Sequence, residues 1–165
     1  MLLGTHILLP VIPLALRRYR AIKKGDEPVQ PLRELFVVGI FGALPDLLNP
    51  HLSLESRLSS WSHGLPFVAC LATVLLLACI PKRSPLTLAR AGYLLMAYVL
   101  HLLCDALSGG IAYLYPLNDQ VIGAAYIPPG LWWFLSDFVH IMAAYMLLRI
   151  LPMLARQRLK NQGIK

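Results

Sequence analysis

Charged residues are scarce in this sequence, and so is cysteine. Only 14% of the 165 residues are charged, compared with about a quarter in soluble domains, whereas 58% are hydrophobic and the mean hydropathy is +0.64. A water-soluble globule of this size cannot readily bury so much apolar surface, but a bilayer accepts it. The three cysteines lie in apolar runs without CxxC spacing, which excludes a zinc knuckle, a redox motif and a disulfide framework.

Five apolar segments follow one another along the chain. They cover residues 2–16, 32–48, 64–80, 86–107 and 131–151. Most approach the length of about 20 residues that a membrane-spanning helix needs, and the first is marginal. Residues 108–130 are apolar but broken by Gly and Pro, which favours an interfacial cap. The sequence predicts one all-α domain over residues 1–165, a polytopic membrane bundle of about five helices with an irregular segment before the last.

Basic residues avoid one side of this predicted bundle. Fourteen of the fifteen Lys and Arg residues follow the first segment, flank the turn between the third and fourth, or lie at the C-terminal end. The positive-inside rule places these regions in the cytoplasm, with the N-terminus out and the C-terminus in. The net charge of +7 is therefore attributed to topology and not to nucleic acid. The expected location is a bacterial inner membrane, and the expected partner is membrane lipid.

Histidines and carboxylates gather on the opposite side, where we expect the periplasm. All five histidines and five of the eight acidic residues fall there. His101 and Asp105 are spaced i,i+4, and Asp137 and His140 are spaced i,i+3, so each pair shares one helix face. Ionisable groups inside apolar helices are costly and usually face a partner or a watery cavity.

Three further segments contribute candidate ligands at the same side. These are His6, Asp46 and His63. Together with the two pairs they could supply nitrogen and oxygen ligands for one or two divalent ions, with zinc the favoured metal.

Purely structural roles are an alternative to metal binding for several of these residues. Asp137 and His140 could hydrogen-bond each other as a structural contact between helices, and Asp46 could simply end a helix. Arg57, the one outer basic residue, could hold a phosphate or pair with Glu55. Two alternatives to an enzyme stay open: an ion or metal transporter, because buried acids and histidines also mark ion pathways, and a non-catalytic scaffold.

Five short motifs follow one another between about residues 4 and 117. They are Gly4-Thr5-His6, Gly42-Ala43-Leu44-Pro45-Asp46, Trp61-Ser62-His63, His101-Leu102-Leu103-Cys104-Asp105 and Tyr115-Pro116. This order resembles the YdjM-like family of membrane-bound metal-dependent hydrolases. The resemblance implies metal ligands at positions 6, 46, 63, 101 and 105. The chain departs from the family pattern at Leu48 and Asn49, where an Asp and a His are expected, and at residues 58–60, where His-Arg-Gly is expected.

The combined prediction is a membrane-embedded metal-dependent hydrolase, with a phosphoesterase acting on a lipid or lipid-linked phosphate favoured. The metal would activate a bound water and polarise a phosphoryl oxygen. Asp105 or Asp137 is the expected general base, and His140 a further ligand. Arg57 and Tyr115 are the expected contacts to the substrate, at the outer face of the inner membrane.

Overall fold

Helices make up nearly all the regular structure of the protein. The computed structural model describes residues 3–28, 30–50, 60–81 and 84–163, and within these ranges it contains no strand, only two isolated bridges. The α-helices are α1 (Leu3–Leu8), α2 (Val11–Lys24), α3 (Leu32–Leu48), α4 (Leu65–Cys79), α5 (Leu88–Leu107), α6 (Leu131–Tyr145) and α7 (Leu151–Asn161). A 3-10 turn, Trp61–His63, precedes α4. The all-α prediction is confirmed.

The first helical segment differs from the sequence expectation, because it is broken and longer. Pro10 has no N–H, and its ring excludes the carbonyl of His6 four residues earlier, so α1 ends and α2 begins at Val11. α2 then continues past residue 16 through the basic cluster. It stops at Gly25, whose φ of 83° is left-handed, as at many helix C-termini.

The last helical segment is also longer than expected. α6 continues through a π-helical turn, Met146–Ile150, into α7, so the helix ends ten residues beyond position 151. α7 packs against α2, and both carry long basic side chains whose apolar stems can cover the partner helix. Tertiary contact therefore extends these two helices beyond their apolar runs.

Helix α5 lies at the centre of the bundle and the final helix at its edge. Both α5 and the continuous helix from Leu131 to Asn161 are long and apolar enough to cross a membrane. In their most apolar windows, 44% of the residues of α5 are buried inside the protein, against 17% for the final helix. α5 packs mainly against α3, while α1 lies between α3 and α6.

Residues 108–130 fold back over the C-terminal end of α5 and are irregular, as expected. Ile111 and Ile122 pair through two backbone hydrogen bonds of 3.0 and 2.8 Å. The N–H of Ala124 donates to the carbonyl of Ala106 at 3.1 Å, so this segment satisfies carbonyls that a helix end leaves open. The segment also reaches the start of α4, where the Leu65 N–H donates to the Tyr113 carbonyl at 2.6 Å.

Candidate metal centre

Four side chains from three parts of the fold converge at one end of the bundle. Asp46 lies in the last turn of α3, His63 ends the 3-10 turn before α4, and His101 and Asp105 lie one turn apart on α5. His63, His101 and Asp105 are at most 1% exposed, whereas the Asp46 side chain is 32% exposed. The group therefore has three buried members and one that opens outward.

The donor atoms of these four residues lie close enough together to surround one ion. His63 Nε2 lies 3.4 Å from Asp46 Oδ1 and 3.4 Å from Asp105 Oδ2. His101 Nε2 lies 3.5 and 3.3 Å from the same two oxygens, and 3.3 Å from His63 Nε2. A tetrahedral zinc ion bound at about 2.0–2.1 Å separates its ligand atoms by about 3.3–3.4 Å. The five separations match that spacing, and all four atoms lie within 4.8 Å of one another.

The short distance between His63 Nε2 and His101 Nε2 indicates that the cluster suits a cation. Two protonated nitrogens at 3.3 Å would place their hydrogens against each other, so at least one ring directs a lone pair into the cluster. Carboxylate oxygens of Asp46 and Asp105 point to the same place. Two neutral imidazoles and two carboxylates balance the charge of one divalent ion, and this donor set is one that zinc accepts.

The outer nitrogen of each ring is held by a hydrogen bond. His101 Nδ1 donates to the carbonyl of Gly42 at 2.7 Å, since a carbonyl can only accept. His63 Nδ1 lies 3.0 Å from Ser60 Oγ and 3.2 Å from Ser62 Oγ. Metal-binding histidines almost always have such outer partners, which direct the other nitrogen to the ion.

His6 lies beside this cluster but is not one of the four residues whose donor atoms converge. Its Nε2 lies 3.4 Å from Asp105 Oδ1, the oxygen that does not face the cluster, and its ring stacks on His101 with centroids 3.9 Å apart. α1 can approach this closely because residue 42 is glycine: a Cβ there would lie 2.2 Å from the His6 carbonyl oxygen. The structure thus places His6 beside the cluster, and its role as a ligand stays a prediction.

The structure does not bring Asp137 and His140 into the four-residue cluster. Asp137 accepts hydrogen bonds from the Gly4 N–H at 3.0 Å, the Thr5 N–H at 2.8 Å and the Thr5 hydroxyl at 2.6 Å. It therefore caps the N-terminus of α1 from a neighbouring helix. His140 Nδ1 donates to the carbonyl of Ser136 in its own helix at 2.7 Å. The roles of Asp137 as general base and of His140 as metal ligand stay predictions.

Of the two residues expected to contact the substrate, the structure describes only Tyr115. Arg57 lies outside the described residues. Tyr115 is half-buried, and its backbone carbonyl abuts Gly64, directly after His63: a Cβ at Gly64 would lie 2.6 Å from that oxygen. Burial raises the pKa of the nearby Tyr113 phenol, and the negative charge of Asp105 adds to this effect.

Sequence reasoning missed two polar residues that support the cluster, Ser60 and Asn49. Asn49 Nδ2 donates to Ser60 Oγ at 2.9 Å, and Ser60 contacts His63. Both positions were noted only as departures from a family pattern. Their one sequence signal was that polar side chains stand at the ends of apolar segments beside candidate ligands.

Comparison with protein families identifies the chain as a whole. The family model described as YdjM inner membrane protein matches residues 1–162, nearly the whole chain. Neither the curated proteins nor the solved structures gave a match. The order of motifs, the helical fold with its apolar spanning helices and the coverage of the family model lead to one conclusion: the chain belongs to the YdjM inner membrane protein family.

Proposed function

We propose that this protein is a metal-dependent hydrolase embedded in the inner membrane, which cleaves a phosphoester of a lipid or lipid-linked phosphate. The convergence of two imidazole nitrogens and two carboxylate oxygens, all within 4.8 Å of one another, carries the proposal. A divalent metal, zinc in the first place, would supply a water of lowered pKa and a positive charge that stabilises the phosphoryl oxygens.

The chain's own residues divide the remaining work. The buried side chains of His63, His101 and Asp105 would hold the ion. The more exposed Asp46 would give way to the water and the substrate, because catalytic zinc sites keep one position open. Asp105 is the proposed general base, because its carboxylate borders the cluster through Oδ2 and His6 Nε2 through Oδ1. A proton accepted at Oδ1 can be shared with the His6 ring.

Exposed apolar side chains lie close in sequence to Asp46 and His63. Leu47 and Leu48, which follow Asp46, and Trp61, two residues before His63, are all exposed. Leu65, at the start of α4, is exposed as well. A water-soluble substrate gains nothing from such a rim, whereas the acyl or prenyl chain of a lipid phosphate can pack against it. This rim supports a substrate that reaches the cluster from the bilayer.

The cluster lies at the end of the bundle opposite the basic residues, which supports an outward-facing site. α3 and α5 both begin near an ion pair between Glu34 and Arg90, with 2.5 Å between Oε1 and Nη2. Asp46 and Asp105 lie 12 and 15 residues further along these helices, about 20 Å away along the axis. The one-sided position also argues against a transporter, which needs polar groups across the whole membrane.

Orientation has a direct test. A reporter fused after Lys165 should be active only in the cytoplasm, and one inserted after Glu55 only in the periplasm. The reverse pattern would refute the periplasmic site.

Two measurements on purified protein in detergent test the function itself. Metal analysis should find one transition ion per cluster, with zinc the expected metal, and a panel of phosphoester lipids should be hydrolysed in a reaction that a chelator stops and zinc restores. A matched variant, His140→Gln, removes a histidine outside the cluster and should keep both properties. Stoichiometric metal without hydrolysis of any phosphoester lipid would refute the enzyme, and absence of bound metal would refute the site.

A further inference from the structure

Behind His63, three buried polar atoms lie in mutual contact. Ser60 Oγ is 2.9 Å from Ser62 Oγ and 3.0 Å from His63 Nδ1, and Ser62 Oγ is 3.2 Å from the same nitrogen. All three residues are at most 1% exposed. Contacts this short in a dry place require a hydrogen between the atoms, because facing lone pairs repel and a missed hydrogen bond is costly there.

The proton of Ser62 is already committed elsewhere. Ser62 Oγ lies 2.8 Å from the carbonyl oxygen of Pro45, which can only accept, so the hydroxyl donates to it. The contact between the two serines must then use the proton of Ser60. Neither hydroxyl has a proton left for His63 Nδ1. The ring must therefore donate through an Nδ1–H.

Ser60 also reaches its full hydrogen-bonding capacity in this assignment. Its hydroxyl donates to Ser62 and accepts from the Asn49 amide, at 2.9 Å, and from the His63 ring. A hydroxyl offers one proton and two lone pairs, so every one is used. With the ring proton on Nε2 instead, the three contacts among Ser60, Ser62 and His63 would share a single proton.

This proton placement decides which nitrogen of His63 is a donor atom for metal. A neutral ring with a proton on Nδ1 has its lone pair on Nε2, the atom that faces Asp46, His101 and Asp105. His101 obtains the same tautomer from the Gly42 backbone carbonyl. His63 differs because side chains hold it, and the chain of bonds ends on Pro45, the residue before Asp46. The network thus joins two ligands of the cluster.

We propose that Ser60 and Ser62, supported by Asn49, are positioning residues that hold His63 in the tautomer with a free Nε2 lone pair, ready to bind a divalent metal. The inference rests on the proposed metal site and does not require that the protein hydrolyses anything.

The tautomer can be read without metal and without substrate. Metal-free protein with ¹⁵N-labelled histidine, studied in detergent by long-range ¹H–¹⁵N NMR at a pH where the ring is neutral, should show His63 with a protonated Nδ1 and an unprotonated Nε2. The signal is assigned by its absence in His63→Gln. An Nε2-protonated His63 in the wild-type protein would overturn the proposal.

Variants then test the cause. Ser60→Ala should mix the two tautomers of His63 and lower zinc affinity about 10- to 100-fold in competition with a chromophoric chelator, as loss of outer-shell partners does elsewhere. Ser84→Ala removes a hydroxyl whose partners among the described residues are Ala78 and Leu86, outside the cluster, and should change neither readout. Unchanged tautomer and affinity in Ser60→Ala would overturn the assignment. If Ser60→Ala does not fold, the wild-type spectrum decides alone.

The outcomes separate this inference from the proposed function. Wild-type protein with the expected tautomer and bound zinc but no hydrolysis would refute the hydrolase and support the positioning network. Active wild-type protein with the opposite tautomer would refute only the network.

Discussion

Two His/Asp pairs on consecutive helices of the chain look alike in sequence and differ in the structure. His101 and Asp105 on α5 are buried, and their donor atoms converge with those of side chains from α3 and from the turn before α4. Asp137 and His140 on α6 are partly exposed and bond to backbone and hydroxyl groups of α1 and α6. The first pair could bind an ion, whereas Asp137 of the second pair bonds to the N-terminus of α1. The difference arises from what packs opposite each helix face.

The largest difference between the pairs should appear in catalysis. Asp46→Ala, His63→Ala and Asp105→Ala should each reduce phosphoester hydrolysis to the background rate, and the triple variant should be no slower, because groups that act as a unit are strongly non-additive. Rates per folded molecule, measured on the same lipid, give the comparison. Graded, additive losses of stability with activity per folded molecule intact would give the three residues a structural role and rule out the cluster as the catalytic site.

The second largest difference between the two His/Asp pairs is expected in zinc affinity. The double variant His101→Ala, Asp105→Ala loses two of four donor atoms, so its zinc affinity should fall by more than the roughly 100-fold that loss of an outer-shell partner costs. His140→Ala is the control and should bind zinc like the wild type. Chelator competition measures both. Equal metal content in the double variant and the control would contradict the assignment of the cluster.

Removing the charge of Asp137 should affect stability more than chemistry. Asp137→Asn keeps the shape but replaces one accepting oxygen with an N–H₂ group, which cannot accept from Gly4 or Thr5. We expect a loss of about 1–3 kcal/mol in the free energy of unfolding, typical of hydrogen bonds to a charged group. Thermal unfolding in detergent measures it, with the exposed Asp119→Asn as control. Activity per folded molecule should stay within about tenfold, whereas collapse of that activity would restore Asp137 as the general base.

The smallest effect is expected at His140. His140→Gln removes a bond to the Ser136 carbonyl within the same helix, and polar contacts in membrane helices average about 0.6 kcal/mol. Unfolding and zinc affinity should both be close to wild type. A loss of metal in this variant would place His140 in the site, as the sequence alone suggested.

Helix positions followed closely from the sequence where the cause is local. α3 spans residues 32–48 as expected, and α4 and α5 begin or end within two residues of the predicted bounds. An apolar run long enough to span a bilayer becomes a helix because every backbone group must be satisfied internally. The first and last segments differed because a proline interrupts one and because α2 and α7 stabilise each other beyond their apolar parts.

The amino-acid sequence by itself determined the membrane class and the helices, since hydropathy and charge are properties of residue types and their spacing. Motif order predicted candidate ligands, and four of these converge in the structure. The role of Asp137 was decided only when α1, detached at Pro10, placed its free N–H groups against α6. The proton placement that we propose for His63 likewise depends on Ser60, Ser62 and the Pro45 carbonyl, which come together only in the folded protein. A buried polar group takes its function from the partners that surround it, and only the packed structure chooses them.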